Sequence, residues 1–319
     1  MSTFEPITIV GAGLMGHGIA QVFAAHGHPV RLFDTNATIL AEAPQRIRAN
    51  LTQLAAHGVG AETEIDASIA RVSLMHDLAE ACAGTSVVFE AVSENMPLKQ
   101  RIFAELDRIC PAHVILCSNT SVMSITEIAS QSQGRERIVG THWWNPPFLI
   151  PLVEIVRTVD TDDHTVEIIY DLLKRVGKKP VRVHKDVPGF VGNRLQHALW
   201  REAFAIIDQG IADAATVDEV VRNGFGLRLP VLGPVENADL VGLDLTLAIH
   251  DYILPHLNRD TQPSATLRAK VAAGKLGFKS ASGFLPWSDQ EIAATRERLA
   301  NYLMQALAQG SSEASFPTT

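Results

Sequence analysis

The sequence predicts an α/β fold: a doubly wound, mostly parallel sheet over residues 1–186, followed by a smaller all-α domain over residues 187–319. Three observations predict it. Short apolar β-type runs alternate with helical stretches through the first half, the pattern of a parallel sheet covered by helices. The breaker cluster Asp186-Val187-Pro188-Gly189 ends that alternation. A length of 319 residues exceeds one ordinary domain and suits two.

Residues 7–10 form a compact apolar strand, 14–26 a helix and 29–33 a second strand. Residues 37–56 carry Ile39, Leu40, Ile47, Leu51 and Leu54 on one recurring face, which predicts a helix. Further strands are expected at 86–91, 114–117, 138–140, 152–156 and 180–183, with helices between most of them. Beyond the breaker, 190–209 reads as one long helix closed by Gly210. Residues 214–307 read as helical segments separated by Gly and Pro turns, and the small, polar stretch 310–319 as a disordered tail.

Composition narrows the function. Hydrophobic residues make up 46% and charged residues 19%, a globular profile. A net charge of -8, with no run of Lys and Arg, argues against a nucleic-acid partner. Three cysteines, Cys82, Cys110 and Cys117, are odd in number and widely spaced. They suit neither a disulfide framework nor a metal site, and a reducing cytoplasm is the simplest compartment. Residues 1–6 lack the cationic start of a signal peptide. No apolar run approaches the roughly 18 residues that span a membrane.

The strongest local signal is Gly11-Ala12-Gly13-Leu14-Met15-Gly16. It follows an expected strand, opens an expected helix, and precedes Asp34 at the end of the next strand. That context is the Rossmann dinucleotide fingerprint. Gly11 permits the turn, Gly13 lets a pyrophosphate approach the backbone, and Gly16 lets helix and sheet pack closely. The helix N-terminus supplies N–H groups and partial positive charge for the phosphates. Asp34 accepts from ribose hydroxyls and repels a 2′-phosphate, and the following Thr35 and Asn36 supply no compensating Arg. The cofactor implied is NAD.

A second cluster comprises Ser118-Asn119-Thr120-Ser121, His142, Glu154 and Asn193. Ser118 and His142 fall at carboxyl ends of expected strands, where open α/β sheets bind ligands. Oxidation of a secondary alcohol needs a base, and histidine suits it. Glu154 sits in an apolar run, where a carboxylate needs a partner. Spacing alone does not pair His142 with Glu154, and a lone histidine beside Trp143 and Trp144 is more often a core residue.

With these motifs in order, the chain resembles the L-3-hydroxyacyl-CoA dehydrogenase family. His142-Trp143-Trp144-Asn145-Pro146 resembles its His-aromatic-aromatic-Asn-Pro motif, and Pro151-Leu152-Val153-Glu154 the segment carrying its glutamate. The stretch from Asp186 to Arg194, Gly233-Pro234, Asp239 to Asp244 and Gly274-Lys275-Leu276-Gly277 continue the likeness to about residue 286. The resemblance implies an NAD-dependent oxidoreductase of fatty acid metabolism, with His142 as base and Glu154 as its partner. It implies that Ser118 and Asn193 hydrogen-bond the reacting oxygen. It further implies that Glu90, Glu94 and Lys99 lie along the cofactor, with Asn119 near the nicotinamide. It also implies a homodimer formed through the helical domain, and a small-molecule substrate between the domains.

Two departures bear on that substrate. The family's coenzyme A contacts lie partly on the helix after the second strand, where Ser and Lys are frequent. Here residues 41–48 have neither, and Arg46 and Arg48 suit either a phosphate contact or a solvated face. The run Pro147-Phe148-Leu149-Ile150-Pro151-Leu152 is closer to relatives acting on free hydroxy acids, such as L-gulonate 3-dehydrogenase and carnitine dehydrogenase. Gly274 to Gly277 and Gly283-Phe284 look more like the acyl-CoA branch. The expected substrate is a short 3-hydroxyacyl-CoA such as 3-hydroxybutyryl-CoA. The alternatives are a free hydroxy acid, or a ring-borne alcohol beside a carboxylate. A non-catalytic NAD-binding protein is the remaining reading, and intact Ser118, His142, Glu154 and Asn193 argue against it.

Overall fold

The computed structural model describes residues 5–313, with side chains as far as Ala308. Its eight-stranded sheet comprises β1 (Ile7–Val10), β2 (Val30–Phe33), β3 (Val72–Met75), β4 (Val87–Glu90), β5 (Ile115–Ser118), β6 (Ile138–Trp143), β7 (Leu152–Val156) and β8 (Lys179–Val183). The order is β3-β2-β1-β4-β5-β6-β7-β8. Every pairing is parallel except β6 with β7. The chain reverses its strand order between β1 and β4, the switch point where Rossmann folds bind dinucleotides.

Helices α1 (Leu14–Ala25), α2 (Ala37–Ala56), α3 (Ile65–Ala70), α4 (Leu78–Cys82), α5 (Met96–Ile109), α6 (Ile125–Ile128) and α7 (Asp163–Arg175) alternate with the strands. Then come α8 (Gly192–Asp208), α9 (Ala214–Asn223), α10 (Pro234–Val241), α11 (Leu243–Ile253), α12 (Ala265–Ala272) and α13 (Asp289–Glu313). Packing divides the chain into two units. One holds the residues through Arg194 together with those from Leu299 onward; the other is Leu195–Arg298.

In the first unit the central strands are buried along their whole length, as parallel strands covered on both faces must be. Alternate residues feed two apolar layers. Ile7, Ile9, Phe89, Trp143 and Ile155 pack with Phe23 of α1 and Ile169 of α7. Val10, Val88, Leu116, Ile138 and Val156 pack with Phe103 of α5 and Ile125 of α6. In α5, Asn95 caps the start by accepting from the Leu98 N–H. Lys99, Phe103 and Leu106 then form its buried stripe, at the helical spacing of one face. The second unit carries α9 to α12 and leaves many apolar side chains exposed, among them Leu240, Leu243, Leu247 and Tyr252.

The structure differs from the expectation in four places. Strand β3 was not anticipated: it is short and only half-buried, so its apolar pattern is weak. Strand β6 runs on to Trp143 and therefore contains His142 instead of ending before it. The long helix after the breaker begins at Gly192, because Phe190 and Val191 belong to the turn that precedes it. Residues 310–313 continue α13; the remainder of the expected tail lies outside the described residues. Among the described residues, no helix is long and apolar enough to cross a membrane, and no cluster of metal-ligating side chains occurs.

Candidate active site

The nucleotide cradle is built by three glycines with different surroundings. Gly11 has φ +104, and a Cβ there would lie 2.6 Å from the Ala91 carbonyl oxygen. At Gly16 it would lie 1.7 Å from the Gly11 oxygen, so α1 and the turn approach as only glycine allows. Gly13 is different: a Cβ there would meet nothing within 4 Å. Its bare backbone faces open space at the start of α1, where no side chain caps the helix. Uncapped N–H groups at a helix start suit a pyrophosphate. Asp34 closes the cradle. Its Oδ2 accepts from the Ala12 N–H at 2.7 Å and its Oδ1 from the Asn36 N–H at 2.8 Å. Each oxygen retains acceptor capacity for a ribose hydroxyl. The residues fit NAD.

Beside this cradle lies a buried charged network. Strand register sets Glu90 against Ser118. Ser118 Oγ donates to Glu90 Oε2 at 2.8 Å, while Lys99 Nζ and the Val92 N–H donate to Oε1 at 2.7 and 2.8 Å. Lys99 also pairs with Glu94 at 3.2 Å. Glu94 accepts from Thr120 Oγ1 and the Ser121 N–H, each at 2.6 Å. Burial pushes the Glu94 carboxyl upward, but its bonds to Thr120, Lys99 and Ser121 outweigh this and hold it below the usual range.

Glu90 and Lys99 pair with each other beneath the cradle. Both side chains are buried to within 1%, because each neutralises the other inside the apolar layer. Glu94, 37% exposed, is the member that faces outward. Ser118 is buried as well and gives its single hydroxyl proton to Glu90. Asn119 Oδ1 accepts from the Trp143 N–H at 3.0 Å, tying the end of β5 to β6. Asn193 Nδ2 donates one of its protons to the Ser121 carbonyl at 2.8 Å.

The antiparallel ladder between β6 and β7 sets His142 directly opposite Glu154. His142 Nδ1 and Glu154 Oε2 are 2.7 Å apart, and both residues are almost wholly buried. Glu154 Oε1 accepts from the Val191 and Gly192 N–H groups, each at 3.0 Å, at the positive start of α8. Burial raises the Glu154 carboxyl, and the bonds from His142, Gly192 and Val191 more than reverse it. An ionised carboxylate only accepts, so Nδ1 carries the donated proton, and in the neutral ring Nε2 is then the acceptor. The imidazole lies between Trp144, with centroids 5.1 Å apart, and Phe190, at 5.8 Å.

The two tryptophans separate. Trp143 is core, against Phe23 and Phe89. Trp144 is half-buried beside His142 and fills the space a Cβ on Gly192 would need, 2.4 Å from its ring. Arg46 pairs with Glu42 and Arg48 with Asp66. Sequence reading missed the role of the Val191 and Gly192 amides, for which the Gly189-to-Asn193 turn was the only signal. It also missed Lys178, whose ammonium bonds the Pro147 and Ile150 carbonyls and which carries no motif.

Comparison with known proteins identifies the family. Residues 6–187 match the family model of the 3-hydroxyacyl-CoA dehydrogenase NAD binding domain, and residues 189–287 that of the C-terminal domain. The chain is 38% identical over 287 residues to a probable 3-hydroxybutyryl-CoA dehydrogenase of Bacillus subtilis, covering 90% of this chain and 98% of that protein. A 5-formyl-3-hydroxy-2-methylpyridine 4-carboxylate 5-dehydrogenase of Mesorhizobium japonicum is 32% identical over 298 residues, covering 93% and 96%. A crystal structure of a dehydrogenase for that pyridine compound, described as NAD+ dependent, superposes with a TM-score of 0.88 at 31% identity, covering 95% and 97%. The (S)-3-hydroxybutyryl-CoA dehydrogenase structure from Ralstonia eutropha gives 0.75 at 34% identity, covering 90% and 100%. With a dinucleotide cradle at the switch point and both family models matched in order, the chain belongs to the 3-hydroxyacyl-CoA dehydrogenase family and is an NAD-dependent oxidoreductase.

Proposed function

We propose that the protein interconverts a short L-3-hydroxyacyl-CoA, such as 3-hydroxybutyryl-CoA, and its 3-keto counterpart. The observation that carries the reaction type is the buried His142–Glu154 pair. In the oxidative direction His142 Nε2 takes the proton of the substrate hydroxyl. Glu154 keeps Nδ1 protonated and stabilises the imidazolium that forms. The chemistry NAD supplies when bound is acceptance of the hydride. Asn193 donates toward the reacting oxygen, and Ser118, held by Glu90, lines the same face of the sheet. The substrate class is supported by the 38% identity to the Bacillus protein along nearly its whole length.

A second reading keeps the chemistry and changes the substrate. The pyridine-carboxylate dehydrogenase relatives bind a ring-borne substrate, and their likeness spans the chain equally well. Arg46 and Arg48 are each engaged by a carboxylate, which favours a substrate without coenzyme A. The test is NADH formation over a panel of 3-hydroxyacyl-CoA thioesters, free hydroxy acids and aromatic alcohols with a neighbouring carboxylate. Turnover of 3-hydroxybutyryl-CoA is expected. If only a free acid or ring alcohol yields NADH, the acyl-CoA assignment fails. With the acyl-CoA substrate goes a place in fatty acid metabolism in the cytoplasm, and a homodimer, the last supported by the apolar exposure of α10 and α11.

A further inference from the structure

Lys178 is a buried cation of the sheet unit that neither the cradle nor the His142–Glu154 pair uses. It precedes β8 and is 8% exposed. Its Nζ donates to the Pro147 carbonyl and, at 3.0 Å, to the Ile150 carbonyl. It also lies 5.3 Å from the centre of the Trp143 ring, a favourable seat for a cation. Pro147 and Ile150 belong to the segment that joins β6 to β7. Within it the Leu149 and Ile150 N–H groups both turn back to the Pro146 carbonyl, and Leu149 packs with Leu54 and Met304. Pro147 rests on α1 at Gly18, where a Cβ would lie 2.5 Å from its ring. The ammonium therefore ties both limbs of the connection to the strand that follows.

This connection joins β6 to β7, whose register brings Glu154 opposite His142. A slip of one residue would turn Glu154 to the other face of the sheet. An apolar side chain at 178 would take the side-chain donor away from the Pro147 and Ile150 carbonyls. We propose that Lys178 is a positioning residue for the reaction: its ammonium pins the β6–β7 connection so that Glu154 stays aligned with His142. The inference rests on the reading of His142 and Glu154 as the base pair, and it concerns neither the acyl group nor the cofactor.

The experiment compares wild type, Lys178→Met, Lys178→Arg and Glu154→Gln. It measures NADH affinity by fluorescence, kcat, the pH profile of kcat/KM and the melting temperature, with whichever alcohol wild type oxidises. Lys178→Met is expected to keep NADH affinity within about twofold and to lose about tenfold or more in kcat. The acid limb of its profile should move in the same direction as that of Glu154→Gln. Lys178→Arg, which retains donors, should recover most of the loss. If Lys178→Met binds NADH normally and keeps wild-type kcat and acid limb, the inference is overturned. It is equally overturned if activity falls only in step with melting while the limb stays in place, or if Lys178→Arg matches the Met variant in all three. A His142→Gln control separates the two levels: wild-type turnover there removes the base-pair reading itself.

Discussion

Glu154 lies directly across the antiparallel β6–β7 ladder from His142, its Oε2 2.7 Å from the ring Nδ1. The carboxylate has no solvent to lean on, and its other oxygen is occupied by two backbone amides at the start of α8. Such an arrangement fixes a tautomer, and it makes the two residues unequal. His142→Gln removes the proton acceptor and is expected to lower kcat by about 10²–10⁴ while NADH affinity stays near wild type. Glu154→Gln keeps the acceptor, so it should lower kcat less and shift the pH profile. Steady-state kinetics with fluorescence titration of NADH check both; near-wild-type turnover in His142→Gln would remove the histidine from its role.

The cradle yields a contrast between two glycines. Gly13 has φ -66 and open space where a Cβ would go. Gly13→Ala should therefore fold with an unchanged melting temperature yet bind NADH at least about tenfold more weakly, a loss of about 1.4 kcal/mol. Gly16→Ala would drive a methyl into the Gly11 carbonyl and should lower stability itself. Equal NADH affinity in Gly13→Ala and wild type would mean that the pyrophosphate lies elsewhere.

Cofactor choice turns on Asp34, which also braces the glycine turn through the Ala12 amide. Asp34→Ser with Thr35→Arg should weaken NAD and admit NADP. Because the substitution also frees the Ala12 amide, the informative quantity is the ratio of kcat/KM for the two cofactors. A wild type that already uses NADP as well as NAD contradicts the role given to Asp34.

The glycine turn was readable in the sequence because its chemistry is local: strand, turn, helix start and acidic strand end follow one another within 28 residues. The His142–Glu154 pair was readable only through the family likeness, since their 12-residue separation says nothing until the chain reverses at Pro146 to Pro151 and aligns them. The buried partnership of Glu90 and Lys99 escaped for a related reason. On α5, Lys99 occupies the apolar stripe with Phe103 and Leu106, and only the strand beneath explains a charge there. Arg46 and Arg48 read equally as phosphate contacts or as a solvated face; the structure gives both a carboxylate partner.

Stability at alkaline pH follows from Lys178. Burial pushes its ammonium down from 10.5 to about 8. Below that value both folded and unfolded chains carry the proton, and the folded state bears the full cost of the buried charge. Between about 8 and 10.5 the unfolded chain binds more protons, so this group makes stability rise with pH. The whole increment is on the order of 3 kcal/mol. Denaturant unfolding of wild type and Lys178→Met across this range should show the rise in the difference between them. A difference that is flat with pH would mean that Lys178 titrates normally.

In the helical unit, α10 and α11 expose Val235 at 75%, Leu240 at 70%, Leu243 at 63%, Leu247 at 62% and Tyr252 at 77%. Soluble monomers rarely carry so many large apolar side chains on neighbouring helices. Leu243 and Leu247 are four residues apart, hence on one side of α11. They belong to the other packing unit from the nucleotide cradle and His142, so charging them should alter association before chemistry. Wild type is expected to sediment as a dimer, and Leu243→Glu with Leu247→Glu as a monomer with weakened resistance to heat, since a folded chain that loses its partner loses the linked stabilisation. NADH binding by the cradle should persist in that variant. If wild type sediments as a monomer at micromolar concentration, or if the double variant remains a dimer, this face of α11 is not the contact between subunits.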